Sequence, residues 1–159
     1  MKRKLAITLA AIVLILAAGL WALSSTNLSA LEDPGGFETW AATAAKRRLI
    51  ARAAKEVSPG PARDDAALSM GGMQFRADCA ACHGSDARSP TDIGKAMSPR
   101  ASDLGTPEVQ AWSDAELFWI IKHGIKMTGM PGFGKVHRDE RIWHMVYYVR
   151  SIGGKSTAP

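Results

Sequence analysis

The first hydrophobic feature of the chain is an apolar run without a charged side chain, from Leu5 to Leu23, which follows the basic residues 2–4. At 1.5 Å per residue, a helix of this length spans about 28 Å, close to the thickness of a bilayer core. The preceding basic residues predict that the chain after Ser24 lies on the outer side of the membrane. A retained anchor over residues 1–24 is favoured over a cleaved signal peptide, because the run is long and Trp21 stands at its outer end.

The next stretch, residues 25–65, has few apolar positions and reads as a linker on the periplasmic side. Gly36 to Val57 is rich in alanine and basic residues, which predicts a helix outside the main domain. A solvated basic face is favoured over contact with anionic headgroups or an acidic partner. Ser58 to Asp65 contains two prolines, so a domain boundary is predicted near Asp65.

Helical periodicity returns after this boundary. Ala66 to Cys79 is a helix candidate. Ser113 begins a capping box that predicts a helix through Lys122 or His123, with Gly124 as its stop. A last helix is predicted from Arg138 to Ile152 because four apolar residues share one face. These residues are Ile142, Met145, Val146 and Val149.

The segments between these helices predict irregular structure. Gly84 to Pro107 and Gly124 to Val136 are rich in glycine, with proline in both and serine and aspartate concentrated in the first. No stretch alternates apolar and polar residues over a strand length, so the predicted fold class is all-α. Residues 66–153 are expected to form one domain, followed by a short tail over residues 154–159.

Composition and charge narrow the function classes. The chain has 159 residues, of which 47% are hydrophobic and 22% charged, which is ordinary globular composition. Residues 2–4 contribute three units of the formal net charge of +5, so the remainder of the chain is too weakly basic for binding a phosphate backbone. Two cysteines are too few for a disulfide-dense scaffold.

Both cysteines fall in one motif, Cys79-x-x-Cys82-His83, which has the spacing of c-type haem attachment. On a helical turn this spacing puts the two sulfurs on one face, where they can form thioethers with the two vinyl groups of one haem. His83 can then present its imidazole to the iron. A zinc site normally needs four protein ligands, and a redox dithiol needs a βαβ context, so one covalent haem c is favoured over both.

A low-spin electron-transfer haem needs a second axial ligand, and a thioether raises the reduction potential. Met130 is the first candidate, because glycine and proline flank it in an irregular segment that can fold over a flat ring. Met127 is its nearest rival. Three histidines are less favoured, since a lone histidine near a helix is more often a surface or capping residue. They are His123, His137 and His144.

Three motifs and the composition of the last helix together form a recognisable pattern. They are Gly71-x-x-x-Phe75-x-x-x-Cys79-x-x-Cys82-His83, Ser113-Asp-Ala-Glu-Leu-Phe, Thr128-Gly-Met130-Pro, and a last helix with Trp143 and Tyr147. Through them the segment from about Ala66 to Ile152 resembles a class I cytochrome c domain, and more specifically the small membrane-anchored monohaem cytochromes of bacteria. The resemblance implies that Gly71 and Phe75 meet the aromatic side of the last helix, and it adds weight to Met130 as the ligand.

One position departs from the family pattern. The family has a proline before Asp-Leu in the loop after the haem motif, and the carbonyl of that proline orients the ligand imidazole. Here Ser102 precedes Asp103 and Leu104, so a carbonyl is retained while the rigidity of the loop is reduced. Arg100, Lys95 and Trp112 are candidate partners for haem propionates, although solvation or ordinary packing is favoured for each.

The sequence therefore predicts a one-electron carrier, not an enzyme, that cycles its haem between Fe(II) and Fe(III). It would be a single-pass protein of the bacterial cytoplasmic membrane with its haem domain in the periplasm. Its expected partners are a redox donor and acceptor of the respiratory chain or a periplasmic dehydrogenase, and no nucleic acid. The alternatives are a haem enzyme, such as a peroxidase or small-oxide reductase, and a haem-based sensor. Both need a displaceable sixth ligand.

Overall fold

The structure is a computed structural model that describes residues 2–24 and 29–153. All regular structure in these two ranges is helical, so the all-α prediction is confirmed. The predicted tail of residues 154–159 and the first residues of the predicted linker lie outside the described residues. The helices are α1 (Lys2–Ser24), α2 (Gly36–Ala53), α3 (Asp65–Asp78), α4 (Ala80–His83), α5 (Asp92–Lys95), α6 (Pro107–Gln110), α7 (Asp114–His123) and α8 (Asp139–Gly153), with 3₁₀ turns at Ala54–Glu56 and Phe133–Lys135.

The N-terminal helix α1 buries none of its residues against the rest of the protein. Its apolar side chains, among them Leu14, Ile15 and Trp21, are exposed around its whole circumference. A helix that is apolar on all sides is stable when hydrocarbon surrounds it. By length and composition, α1 is able to cross a membrane.

The centre of the fold is the crossing of α3 and α8. A Cβ on Gly71 would overlap the carbonyl oxygen of His144, so only glycine allows the two backbones to approach this closely. Phe75 is fully buried beside the crossing, and its ring centroid lies 5.1 Å from that of Tyr148. The predicted meeting of Gly71 and Phe75 with the last helix is therefore confirmed.

The ring that packs on Phe75 belongs, however, to Tyr148. It does not belong to Trp143 or Tyr147, the two aromatic residues of the last helix on which the resemblance rests. Trp143 stacks on Phe118 of α7 with a centroid distance of 4.7 Å. The Tyr147 hydroxyl donates a hydrogen bond to the carbonyl of Pro61 at 2.5 Å. Both are buried, as predicted, but they pack α8 against α7 and the proline-rich segment.

Helix α7 has the ends that its sequence predicts. The Ser113 side chain accepts the N–H of Glu116, and the Glu116 carboxylate accepts the N–H of Ser113, which completes the capping box. Gly124 ends the helix with φ at +67°, a conformation that favours glycine. The four predicted core residues of α8 are all buried, and they share one hydrophobic cluster with four buried apolar residues of α7. The α7 residues are Leu117, Phe118, Ile120 and Ile121.

The expectation that the helix after Gly36 lies outside the main domain is wrong. Ile50 of α2 is 3% exposed and belongs to the same hydrophobic cluster as Leu117 of α7. The Arg47 guanidinium lies 4.3 Å from the centroid of the Trp112 ring and donates to the carbonyl of Glu108. Ile50 and the amphipathic Arg47 thus pack against the domain a helix that the hydrophobic pattern alone leaves unpartnered.

The irregular segments contain more order than the sequence predicts. Helix α5 lies within the first of them, capped by the Thr91 hydroxyl, which accepts the N–H of Gly94. Helix α6 begins at Pro107, the last residue of the same segment. The second segment contains the 3₁₀ turn at Phe133–Lys135. Single helical turns are too short for a periodicity to appear, so sequence patterns do not reveal them.

Candidate cofactor site

Helices α3 and α4 place the residues of the cysteine motif on one turn of backbone. Cys79 lies at the break between the two helices, where its carbonyl accepts the N–H groups of Cys82 and His83. All three side chains are half-buried. They line one cleft, whose surface is mostly apolar. An apolar lining with a few polar groups is typical of a site for a small organic cofactor.

The predicted orienting bond of the His83 imidazole is present. Its Nδ1 atom lies 2.8 Å from the carbonyl oxygen of Ser102. Because a carbonyl only accepts, Nδ1 must carry the proton, which leaves the lone pair of Nε2 free to bind a metal. Ser102 therefore supplies the acceptor through its backbone carbonyl, as the sequence analysis expects.

The methionines differ sharply in where the structure places them. Met130 is half-buried, lines the cleft and packs against the main core. Met127 is 97% exposed, with φ at +59°. The Thr128 hydroxyl donates to the carbonyl of Ile125 at 2.7 Å and accepts the N–H of Met130 at 3.1 Å, which closes the loop between α7 and the cleft.

A third methionine, which the sequence analysis missed, also lines the cleft. Met97 packs against the backbone of Gly129, and a Cβ at Gly129 would lie 2.5 Å from its sulfur. Gly129 thus leaves the space that the Met97 side chain occupies. Met97 belongs to an irregular segment without a recognisable motif, so no sequence signal distinguishes it.

The remaining histidines do not line the cleft. The His123 ring packs on Trp119, and the Nε2 of His137 lies 2.9 Å from the Asp78 carboxylate. His144 is half-buried on α8, where its carbonyl meets Gly71. Their positions agree with their lower rank as ligand candidates.

Of the three candidate propionate partners, the structure places only Arg100 at the cleft. Arg100 also pairs with Asp33 at 2.8 Å. Lys95 lies near Asp92 on α5, and Trp112 is buried beneath Arg47, so neither reaches the cleft. A residue that the sequence analysis assigned to a solvated face, Lys46 of α2, lines the cleft instead.

The donor set fits a covalently attached haem better than the two alternatives. Burial, with smaller contributions from Asp78 and Cys82, raises the pKa of the Cys79 thiol to about 12. A catalytic dithiol needs the opposite shift, toward a reactive thiolate. A structural zinc site normally takes four protein ligands, and within residues 2–24 and 29–153 no three His, Cys, Asp or Glu side chains converge as a metal-binding group. An imidazole, a thioether and two thiols at an apolar cleft are the groups that haem c requires.

The fold and the cleft together define a cytochrome c-type domain. Residues 66–149 match the family model described as cytochrome c oxidase, cbb3-type, subunit III. The match covers just over half of the chain, and the protein belongs to this family of cytochrome c domains. Membership implies haem c and haem-based electron transfer. The match begins at Ala66, so α1 and α2 lie outside it.

Proposed function

We propose that the protein is a one-electron carrier with a single haem c, bound covalently through Cys79 and Cys82 and ligated by His83 and Met130. The haem, when bound, supplies an iron that alternates between Fe(II) and Fe(III). The observation that carries the proposal is the convergence of an oriented imidazole and a half-buried thioether on one cleft beside both cysteines. Residues 66–153 would form the haem domain.

The residues of this chain would hold the cofactor and keep water from it. The Ser102 carbonyl orients His83, and the Thr128 hydroxyl braces the loop that presents Met130. Ile125 and Phe133 line the cleft with apolar surface and pack against the core. A rigid, dry pocket with two fixed ligands suits electron transfer, because little needs to rearrange when the charge on the iron changes.

The apolar helix α1 supports attachment to the cytoplasmic membrane, with the haem domain on the periplasmic side. Donor and acceptor proteins of an electron-transport chain would be its partners, as the family implies. Cell fractionation and intact mass test the anchor. A full-length mass in the membrane fraction is expected, and a soluble product that begins after Ser24 would contradict it.

The central test uses the purified full-length protein. After denaturation and extraction with acidified organic solvent, the haem should remain with the polypeptide. The ferrous protein should bind carbon monoxide poorly, because the Met130 thioether would hold the iron site that carbon monoxide needs. Haem that leaves with the solvent would disprove covalent attachment. Ready binding of carbon monoxide would favour a haem enzyme or sensor over a carrier.

A further inference from the structure

The cleft contains a cation that comes from outside the residues matched by the family. Lys46 lies on α2, is half-buried and lines the cleft. The helix that carries it is fixed by Ile50 in the core and by Arg47 against Trp112. Because both neighbouring contacts hold α2 in place, the backbone of Lys46 is positioned beside the cleft by packing.

The carboxylates nearest the cleft are already engaged with other groups. Asp78, which lines the cleft, accepts a hydrogen bond from Gln74 and lies 2.9 Å from His137. Asp33 pairs with Arg100. Within the described part of the chain, Lys46 forms no ion pair.

An unpaired ammonium in a half-buried position is unfavourable by itself. Burial lowers the pKa of Lys46, and the adjacent Arg47 charge adds to the effect. A buried cation is normally balanced by an anion, and an ammonium–carboxylate hydrogen bond is stronger than one between neutral groups. The cleft therefore has a place for a carboxylate that residues 2–24 and 29–153 do not supply.

We propose that Lys46 binds a propionate carboxylate of the haem, and that Arg100 supplies a second cation at the same cleft. This inference rests on the proposed function, since the anion belongs to the cofactor. It makes α2 part of the cofactor site, although this helix lies outside the cytochrome c domain that the family defines. Removing the cation leaves a negative charge near the iron uncompensated, which favours Fe(III).

The test measures the reduction potential of the full-length holoprotein in detergent for four variants. Lys46→Gln and Lys46→Met should both lower the potential, because each removes the charge and keeps most of the side-chain stem. Lys46→Arg keeps the positive charge, so its reduction potential should stay close to that of the wild type. Lys55→Gln is the matched control, because Lys55 is exposed, follows α2 directly and does not line the cleft.

A spectroscopic readout separates a direct contact from a general change in charge. The redox-induced infrared difference spectrum should show altered carboxylate bands in Lys46→Gln and Lys46→Met, and unaltered bands in Lys55→Gln. Equal shifts of the potential in Lys46→Gln and Lys55→Gln, or no shift in either, would overturn the assignment. A wild-type protein without covalent haem or without a sulfur-to-iron absorption band would instead overturn the proposed function.

Discussion

The Nδ1 atom of His83 lies 2.8 Å from the carbonyl oxygen of Ser102, nineteen residues further along the chain. The bond selects the tautomer that leaves Nε2 available for a metal. It uses the backbone, so it tolerates a change of side chain at position 102. The loop thereby keeps a hydrogen-bond acceptor for His83 with serine at this position.

Substitution of Ser102 by alanine should leave the haem site unchanged. The hydroxyl is not the acceptor, and residue 102 is exposed. The reduction potential and the absorption spectrum of Ser102→Ala should therefore equal those of the wild type. A high-spin spectrum in this variant would contradict the role assigned to the carbonyl.

Met130→Ala should lower the reduction potential, abolish the sulfur-to-iron absorption band and let ferrous haem bind carbon monoxide. The reason is that Met130 lines the cleft while Met127 is 97% exposed. Met127→Ala is the control and should resemble the wild type. Met97→Leu tests the second thioether in the cleft, and it should retain the band. If the band disappears in Met97→Leu and persists in Met130→Ala, Met97 is the ligand.

Gly71→Ala should destabilise the fold by about 1–3 kcal/mol, because a Cβ there would meet the carbonyl of His144. Gly72→Ala is the matched control, because Gly72 is the adjacent residue of α3 and is also buried. Its Cβ would lie 3.1 Å from a ring carbon of Tyr148, a side chain that is able to shift, and alanine is the better helix former by about 1 kcal/mol. Denaturant unfolding of both holoproteins measures the difference. Equal stabilities would show that α3 and α8 do not cross as described.

Arg47→Ala should loosen α2 from the rest of the protein. The substitution removes the contact with the Trp112 ring and the bond to Glu108, at a cost of about 1 kcal/mol. Hydrogen exchange should become faster in α2 and stay unchanged in α3. Arg48→Ala, which removes the same charge from an exposed position, should leave exchange in α2 as it is in the wild type.

The elements that sequence analysis predicted well are those whose signals are local. The capping box at Ser113 and the stop at Gly124 define α7 to within one residue, because caps act within a single helical turn. Helix α3, predicted from Ala66 to Cys79, begins and ends one residue earlier, at Asp65 and Asp78. The single-turn helices α5 and α6 were missed because four residues are too few for a pattern.

Contacts between distant segments were predicted less well. The packing of α2 depends on Ile50 and on the stem of Arg47, and neither is recognisable as a core residue in an alanine-rich, basic stretch. Phe75 contacts Tyr148. The sequence analysis named the adjacent Tyr147 instead. A shift of one residue on a helix turns a side chain by about 100°, so only the actual crossing angle decides which of two adjacent aromatics makes the contact.

The sequence by itself determined the chemistry of the motif, the helical class and an apolar helix able to cross a membrane, because each depends on spacing within one segment. The tertiary structure decided which groups share the cleft. It placed Met130 inside and Met127 in solvent, added Met97, and introduced Lys46 from a helix that precedes the matched domain. This arrangement results from the packing of segments that lie far apart in the chain. The sequence pattern within one segment does not specify how close its side chains come to those of another segment.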